Sequence, residues 1–294
     1  MIAASASCDV FNSFLSNSSS HVHMYVMSLT EPTCTEKGNA TYVCTSCGDS
    51  FERDYLGAKG HTYVDRECVE CGELKPSEGL EYRLINDGTA YSVWGMGVCT
   101  DTELVIPSIH EGKPVTAIEN EAFVNNADLT RIVIPESIAS IGTAAFAGCT
   151  KLTEITVKEG NENYKSIDDH LYTKNGKTLV QYACGKKADC FVVPDRVATL
   201  GYGSFGGLNL TSLVIPKSLT EVEMIAFLWC SNLANVYYAG NEEDWQKISI
   251  DMMGNSDLTS ATRYYYSETE PTGEGNYWHY DENGEIAVWK KETV

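Results

Sequence analysis

The chain has 294 residues, a formal charge of −20 and an apolar fraction of 43%. That composition describes folded protein rather than a disordered chain, and the acidic balance would repel both a nucleic-acid backbone and an anionic membrane surface. No apolar run approaches the ~20 residues that a membrane-spanning helix needs, so neither a nucleic-acid partner nor a membrane span is expected.

Residues 1–22 are rich in Ser and Asn and are expected to form a disordered tail. No Lys or Arg precedes Lys37, so a secretory n-region is missing. "SASC", ending at Cys8, faintly resembles a lipoprotein cleavage site without its usual Leu.

Residues 23–75 read as a His/Cys module. "CTSCG" and "CVECG" place Cys44 with Cys47 and Cys68 with Cys71, each a C-x-x-C followed by Gly. Such a turn aims two thiolates at one point, and the spacing between the pairs is that of a zinc ribbon. Cys34 and His61 are further candidate ligands. A duplication is visible as well: "HVHMYV" resembles "GHTYV", so His23, Cys44 and Cys47 parallel His61, Cys68 and Cys71. Three assignments stand open. Cys44, Cys47, Cys68 and Cys71 form an all-thiolate site; Cys34, Cys44, Cys47 and His61 form a mixed one; or the cysteines pair as disulfides, which an exported protein can form. Ligand type and spacing make structural zinc the expected cofactor, and with zinc or disulfides alike the cluster staples a stretch with too few large apolar residues to fold alone.

Residues 76–79 are expected to be a linker, and 80–240 a repeat domain. "VIPESIASIGTAAFAGCTKLTEI" from Val133 matches "VVPDRVATLGYGSFGGLNLTSL" from Val192 and "VIPKSLTEVEMIAFLWCSNLANV" from Val214. A copy from Val105 fits once an insertion around Gly112 is allowed. Pro135, Pro194 and Pro216 each precede Phe146, Phe205 and Phe227 by eleven residues. A period of this length with Leu-rich positions is the signature of a leucine-rich repeat solenoid. "LTRIVI", "LTEITV", "LTSLVI" and "LANVYY" predict short strands that turn Ile132, Ile134, Ile155, Val157, Leu213 and Ile215 inward. Pro then ends each strand, since it cannot donate to the next rung. The spacing of Ile138 and Ile141 predicts a single helical turn returning to Phe146, and the Phe positions predict an internal ladder. "GYGSFG" occupies the place of "GTAAFA" in this alignment, which removes it as a dinucleotide fingerprint.

Between about 158 and 190 the rhythm breaks, and "KNGK" predicts a hairpin insertion. Cys184 and Cys190 there are candidates for a disulfide or for buried thiols. His110 and His170 fall in expected loops with no triad partners. Residues 241–294 are expected to close the domain with a hairpin at Asn283-Gly284, which makes "DENGE" a turn rather than a calcium loop. The fold class is therefore a β-rich leucine-rich repeat solenoid, with short strands and short helical or 3-10 turns, behind a small Cys/His-stapled module.

The "IP…I…I…AF..C..L" pattern resembles the BspA-type leucine-rich repeats of bacterial surface proteins. "GLEYRLINDGTAYSVWGMG", "VYYAGNEEDWQKISI" and "NYWHYDENGEIAVW" extend the resemblance over about residues 79–290. It departs at the Cys position of the repeat, where Cys149 and Cys230 fit but Asn126 and Leu208 stand at equivalent sites, so the Cys is read as a packing residue. The His/Cys region resembles short repeats found beside such domains in secreted proteins. The resemblance implies a secreted or cell-surface interaction module without catalytic residues, binding a protein or glycan, for example on a host surface. An architectural stalk presenting another domain is the alternative, and an enzyme is the third reading. The residues alternating with the buried ones are expected on a concave binding face: Glu103 and Val105, Arg131 and Val133, Glu154 and Thr156, Ser212 and Val214, Asn235 and Tyr237. Val133 and Val214 would form an exposed apolar strip, and Tyr237 is the anchor candidate.

Overall fold

A computed structural model describes residues 22–289. The tail expectation, apart from Val22, and Cys8 lie outside the described residues. The chain divides between Lys75 and Pro76 into two compact units.

The first unit is a three-stranded antiparallel sheet of Tyr25–Thr30, Gly38–Cys44 and Ser50–Leu56, followed by a small hairpin of Tyr63–Val64 and Glu67–Cys68. Asp65 and Arg66 make the hairpin turn in the left-handed region, with φ of 49° and 70°. Ser50–Leu56 is exposed along its whole length. The buried residues described in this unit are Pro32, Cys34, Gly38, Ala40, Cys44 and Cys68. Cys34, Cys44 and Cys68 are sulfur donors and the others are small, so apolar burial alone gives this unit almost no core.

The second unit is a solenoid with two β walls. One wall begins as the parallel strands Glu103–Val105, Arg131–Ile134 and Glu154–Val157. It resumes after the insertion with Cys190–Val192, Ser212–Ile215, Asn235–Tyr238 and Thr262–Tyr266, and ends in the hairpin Tyr277–Tyr280 with Ile286–Val288. The other wall carries the return segments. Ser140–Ile141 pairs with Lys113–Ile118, while Thr199–Leu200, Glu221–Val222 and Ser249–Ile250 pair in parallel with one another. In place of the expected helical turn, the Ile138 amide closes a tight turn onto the Pro135 carbonyl at 3.4 Å, and Ile141 lies in the two-residue strand Ser140–Ile141. Its backbone groups find partners one coil away, so no helical hydrogen bond is needed to satisfy them. Among the described residues the helices are one-turn pieces, Glu242–Trp245 and Ser256–Ser260, and the 3-10 turn Asn86–Gly88.

The core lies between the walls. Ile132, Ile134, Ile155, Leu213 and Ile215 are fully buried, while Val157 is half-buried. Phe123 stacks on Phe146 at 5.6 Å and Phe205 on Phe227 at 4.9 Å between ring centroids. Tyr182 fills the Phe position of the interrupted repeat and meets Phe205 at 5.5 Å. The insertion is three antiparallel strands, Tyr164–Ile167, His170–Thr173 and Thr178–Gln181. His170 thus lies in a strand rather than a loop. It is buried, and its Nδ1 accepts from the Ala183 amide at 3.0 Å. His110 is also in a short strand, stacked on Tyr82 at 3.7 Å.

The repeat continues beyond residue 240, since Ser249–Ile250 and Thr262–Tyr266 extend both walls. Residues 76–79 are tied to the first coil: Ser77 is buried, its amide donates to the Val105 carbonyl at 2.8 Å, and its Oγ accepts from the Val105 amide at 3.0 Å. Asp281 caps the closing turn by accepting from the Asn283 and Glu285 amides, which leaves "DENGE" a hairpin loop.

Candidate metal centres and candidate binding face

The register of the first unit decides which cysteines can meet. Tyr25 faces Cys44 across the first two strands, and Thr30 faces Asn39 at the other end. His23 therefore arrives beside the Cys44–Cys47 turn. Cys34 sits in the loop at the far end of Gly38–Cys44, roughly 20 Å away at the rise of an extended strand. Neither four-residue set expected from spacing is formed, because Cys34 and the first C-x-x-C lie at opposite ends of one strand. Two other groups converge instead, with donor atoms within 4.8 Å of one another: Cys34, His61, Cys68 and Cys71; and His23, Cys44 and Cys47.

Both groups are built by the same local geometry. The Gly48 amide donates to the Cys44 carbonyl at 2.9 Å, and the Gly72 amide to the Cys68 carbonyl at 2.8 Å. Each Gly has positive φ, 76° and 73°, which closes the turn. The Cys44 amide reaches the Asp49 carbonyl and the Cys68 amide the Glu73 carbonyl, at 2.7 and 2.8 Å. His23 stacks on Tyr25 and His61 on Tyr63, both at 5.5 Å. Cys47 Sγ to His23 Nδ1 and Cys71 Sγ to His61 Nδ1 are both 3.4 Å.

These donor sets fit a tetrahedral cation. Bond lengths of about 2.3 Å to sulfur and 2.0–2.1 Å to nitrogen place two sulfurs about 3.8 Å apart, and sulfur from nitrogen about 3.5 Å. Cys34 Sγ lies 3.8 Å from Cys68 Sγ. A disulfide needs about 2.05 Å, and none joins any of the described cysteines, Cys184 and Cys190 included. Burial and the adjoining Cys71 and Cys68 thiols push Cys34 up to about 12. Burial also acts to raise Cys68, but the Glu70 and Cys71 amides, with His61, outweigh it and bring that thiol down to about 6. Thiols this close cannot all ionise without a cation among them.

The remaining buried thiols do different work. Cys149 Sγ donates to the Phe123 carbonyl at 3.1 Å and Cys230 Sγ to the Phe205 carbonyl at 3.2 Å, each reaching back one coil. Burial pushes both thiols up to about 12, which keeps them protonated donors.

On the solenoid's long wall, the residues alternating with the core fall into register rows. Glu103, Arg131 and Glu154 form one row, with Arg131 Nε 2.9 Å from Glu154 Oε1. Thr156 Oγ1 donates to the same Glu154 oxygen at 2.6 Å. Ser212 and Asn235 form part of a second row, both half-buried. Val105, Val133 and Val214 do not make an exposed strip. They are 6%, 2% and 3% exposed, because each short side chain is shielded by in-register neighbours. Tyr237 stacks on its register partner Tyr264 at 5.1 Å. Trp278 lies against Tyr237, Tyr266 and Tyr280 at 5.8, 5.2 and 5.0 Å, and its indole N–H donates to the Tyr238 carbonyl. Trp278 is buried, while Tyr266 and Tyr280 are exposed. Sequence reasoning missed Tyr264, Tyr266 and Tyr280; the alternation in "RYYYSE" was the available signal.

The repeat units correspond to a known sequence family. The profile of the BspA type leucine rich repeat region matches six copies, over residues 116–179 and 183–265, half of the chain. The chain belongs to this family. Its repeats build a leucine-rich repeat solenoid. Among curated proteins, none matches the sequence. Solved structures similar to this BspA-type chain include the pneumococcal vaccine antigen PcpA, at 16% identity and TM-score 0.39, covering 57% of this chain and 52% of that one. A leucine rich cell surface protein from Faecalibacterium prausnitzii is similar at 25% identity and TM-score 0.31, covering 47% and 55%. The leucine rich repeat protein of T. pallidum is similar at 23% and TM-score 0.38, covering 55% and 80%. The chain thus spans about half the length of the first two. No helix among the described residues is long and apolar enough to cross a membrane.

Proposed function

We propose that this is a non-catalytic, secreted or cell-surface interaction module that binds a protein or glycan through the long wall of its solenoid, carried beside a module stapled by structural zinc. The observation that carries the binding reading is the aromatic group on that wall, Tyr237 and Tyr264 in register beside Trp278, Tyr266 and Tyr280. Rigid tyrosines on a strand platform offer large contact area with few rotamers to freeze. The row of Glu103, Arg131 and Glu154 adds charged groups on the same wall. The zinc reading is supported by thiolate and imidazole donors, which suit a borderline-soft cation.

The test is a binding screen of the full chain on glycan arrays and surface-protein extracts, repeated with Tyr237→Ala and Arg131→Glu. Both variants are expected to weaken a captured interaction while the chain stays folded, Arg131→Glu with a loss of stability no greater than about 1 kcal/mol. Parent-like binding by both would refute the wall as the site, and no capture at all would favour a stalk.

A further inference from the structure

We infer that the N-terminal unit binds two metal ions, one per copy of its duplicated motif, and that the second ion clamps the second copy onto the first through Cys34. The inference rests on the zinc reading above and goes beyond it by assigning ligands and a role to each ion.

Three observations carry it. The duplicated C-x-x-C turns, the stacked His-x-Tyr pairs and the equal sulfur–nitrogen separations of 3.4 Å define two equivalent half-sites. These half-sites belong to separate donor groups, so each requires its own ion. Cys34 breaks the symmetry. It comes from the first copy's strand-connecting loop yet lies 3.8 Å from Cys68 of the second copy. The intervening chain is laid against that loop, with the Lys59 amide donating to the Thr33 carbonyl at 2.9 Å and the Gly60 amide to the Cys34 carbonyl at 3.0 Å.

The second copy needs such a clamp. Its strands are Tyr63–Val64 and Glu67–Cys68, two residues each, and an isolated hairpin is marginal in water even when longer. Among its described residues the one buried apolar side chain is Cys68 itself. A four-donor set of three thiolates and one imidazole is closed, which is the arrangement of a structural site, and its binding energy is folding energy for the segment it closes.

The test uses the full chain expressed with zinc and purified without chelator. Native mass spectrometry counts ions, and hydrogen exchange reads each segment. The parent is expected to carry two zinc ions, one for each donor group. Cys34→Ser and Cys71→Ser should each lose one ion and the protection of residues 59–75, while residues 25–50 stay protected. Unchanged exchange of the solenoid in each variant reports that the chain has folded. A parent without zinc would refute the zinc reading itself. A parent with one ion, or a Cys34→Ser variant that keeps two ions with residues 59–75 protected, would refute the two-ion clamp and leave the zinc reading standing.

Discussion

The two units solve the same problem with opposite means. In the solenoid each coil buries its apolar edge against the next, and Phe123, Phe146, Phe205 and Phe227 are all within 2% of full burial. Stability is spread along a ladder of nearest-neighbour contacts. In the N-terminal unit the described buried residues are three cysteines with Pro32, Gly38 and Ala40, so cohesion is concentrated in a few donor atoms. The lesson is that cysteine means different things in one chain. Cys34 and Cys68 meet other donors, whereas Cys149 and Cys230 each donate a thiol hydrogen bond to a backbone carbonyl of the preceding coil.

Variants in the solenoid should break that unit and leave metal content untouched. The largest effect is expected from Phe205→Ala, which removes a ring packed against Phe227 and Tyr182. It should destabilise the solenoid by about 3–5 kcal/mol, read by thermal or denaturant melts, with zinc content unchanged.

Next comes pH. His170 is held neutral at a value near 4 against an ordinary 6.5, first by burial and then by Lys186. The unfolded chain therefore binds the extra proton between these values. The stability from neutral His170 is complete above pH 6.5 and lost as pH falls toward 4, on the order of 2–3 kcal/mol. His170→Gln should start lower and show a shallower loss over that window; an unchanged slope would contradict the assignment.

A smaller effect is expected at Asn161. Its Nδ2 donates to the Pro135 and Ile138 carbonyls, and its Oδ1 accepts from the Asn163 and Tyr164 amides. Asn161→Ala leaves these groups without that partner and should cost about 2 kcal/mol, measured by melts. The smallest effect is Arg131→Glu. It sets a carboxylate between Glu103 and Glu154, which should cost roughly 0.2–1 kcal/mol and sharpens the separation of the wall from the core.

Much of the solenoid was legible because its constraints are local and repeated. Pro and Phe at a fixed interval marked the coil, the alternation in "LTRIVI" marked the strand face, and "KNGK" marked the insertion's turn. The second wall was not legible, since strands as short as Ser140–Ile141 are too brief to show a period of two. The burial of Val105, Val133 and Val214 was hidden for a related reason. Alternation says which way a side chain points and is silent about what its cross-strand neighbours cover. In the His/Cys unit the ligand types were legible but the partnership was not. Sequence spacing favoured joining the two C-x-x-C pairs, while the register of Gly38–Cys44 carries Cys34 to the opposite end from Cys44. The duplication was the better guide, because copies of one motif fold into copies of one half-site.

The central contrast, metal-held against packing-held, is tested most directly by hydrogen exchange on the full chain before and after a zinc chelator. Residues 25–75 are expected to lose protection throughout on chelation while the solenoid from Leu80 onward exchanges as before. Protection of residues 25–75 that survives complete removal of metal would contradict it.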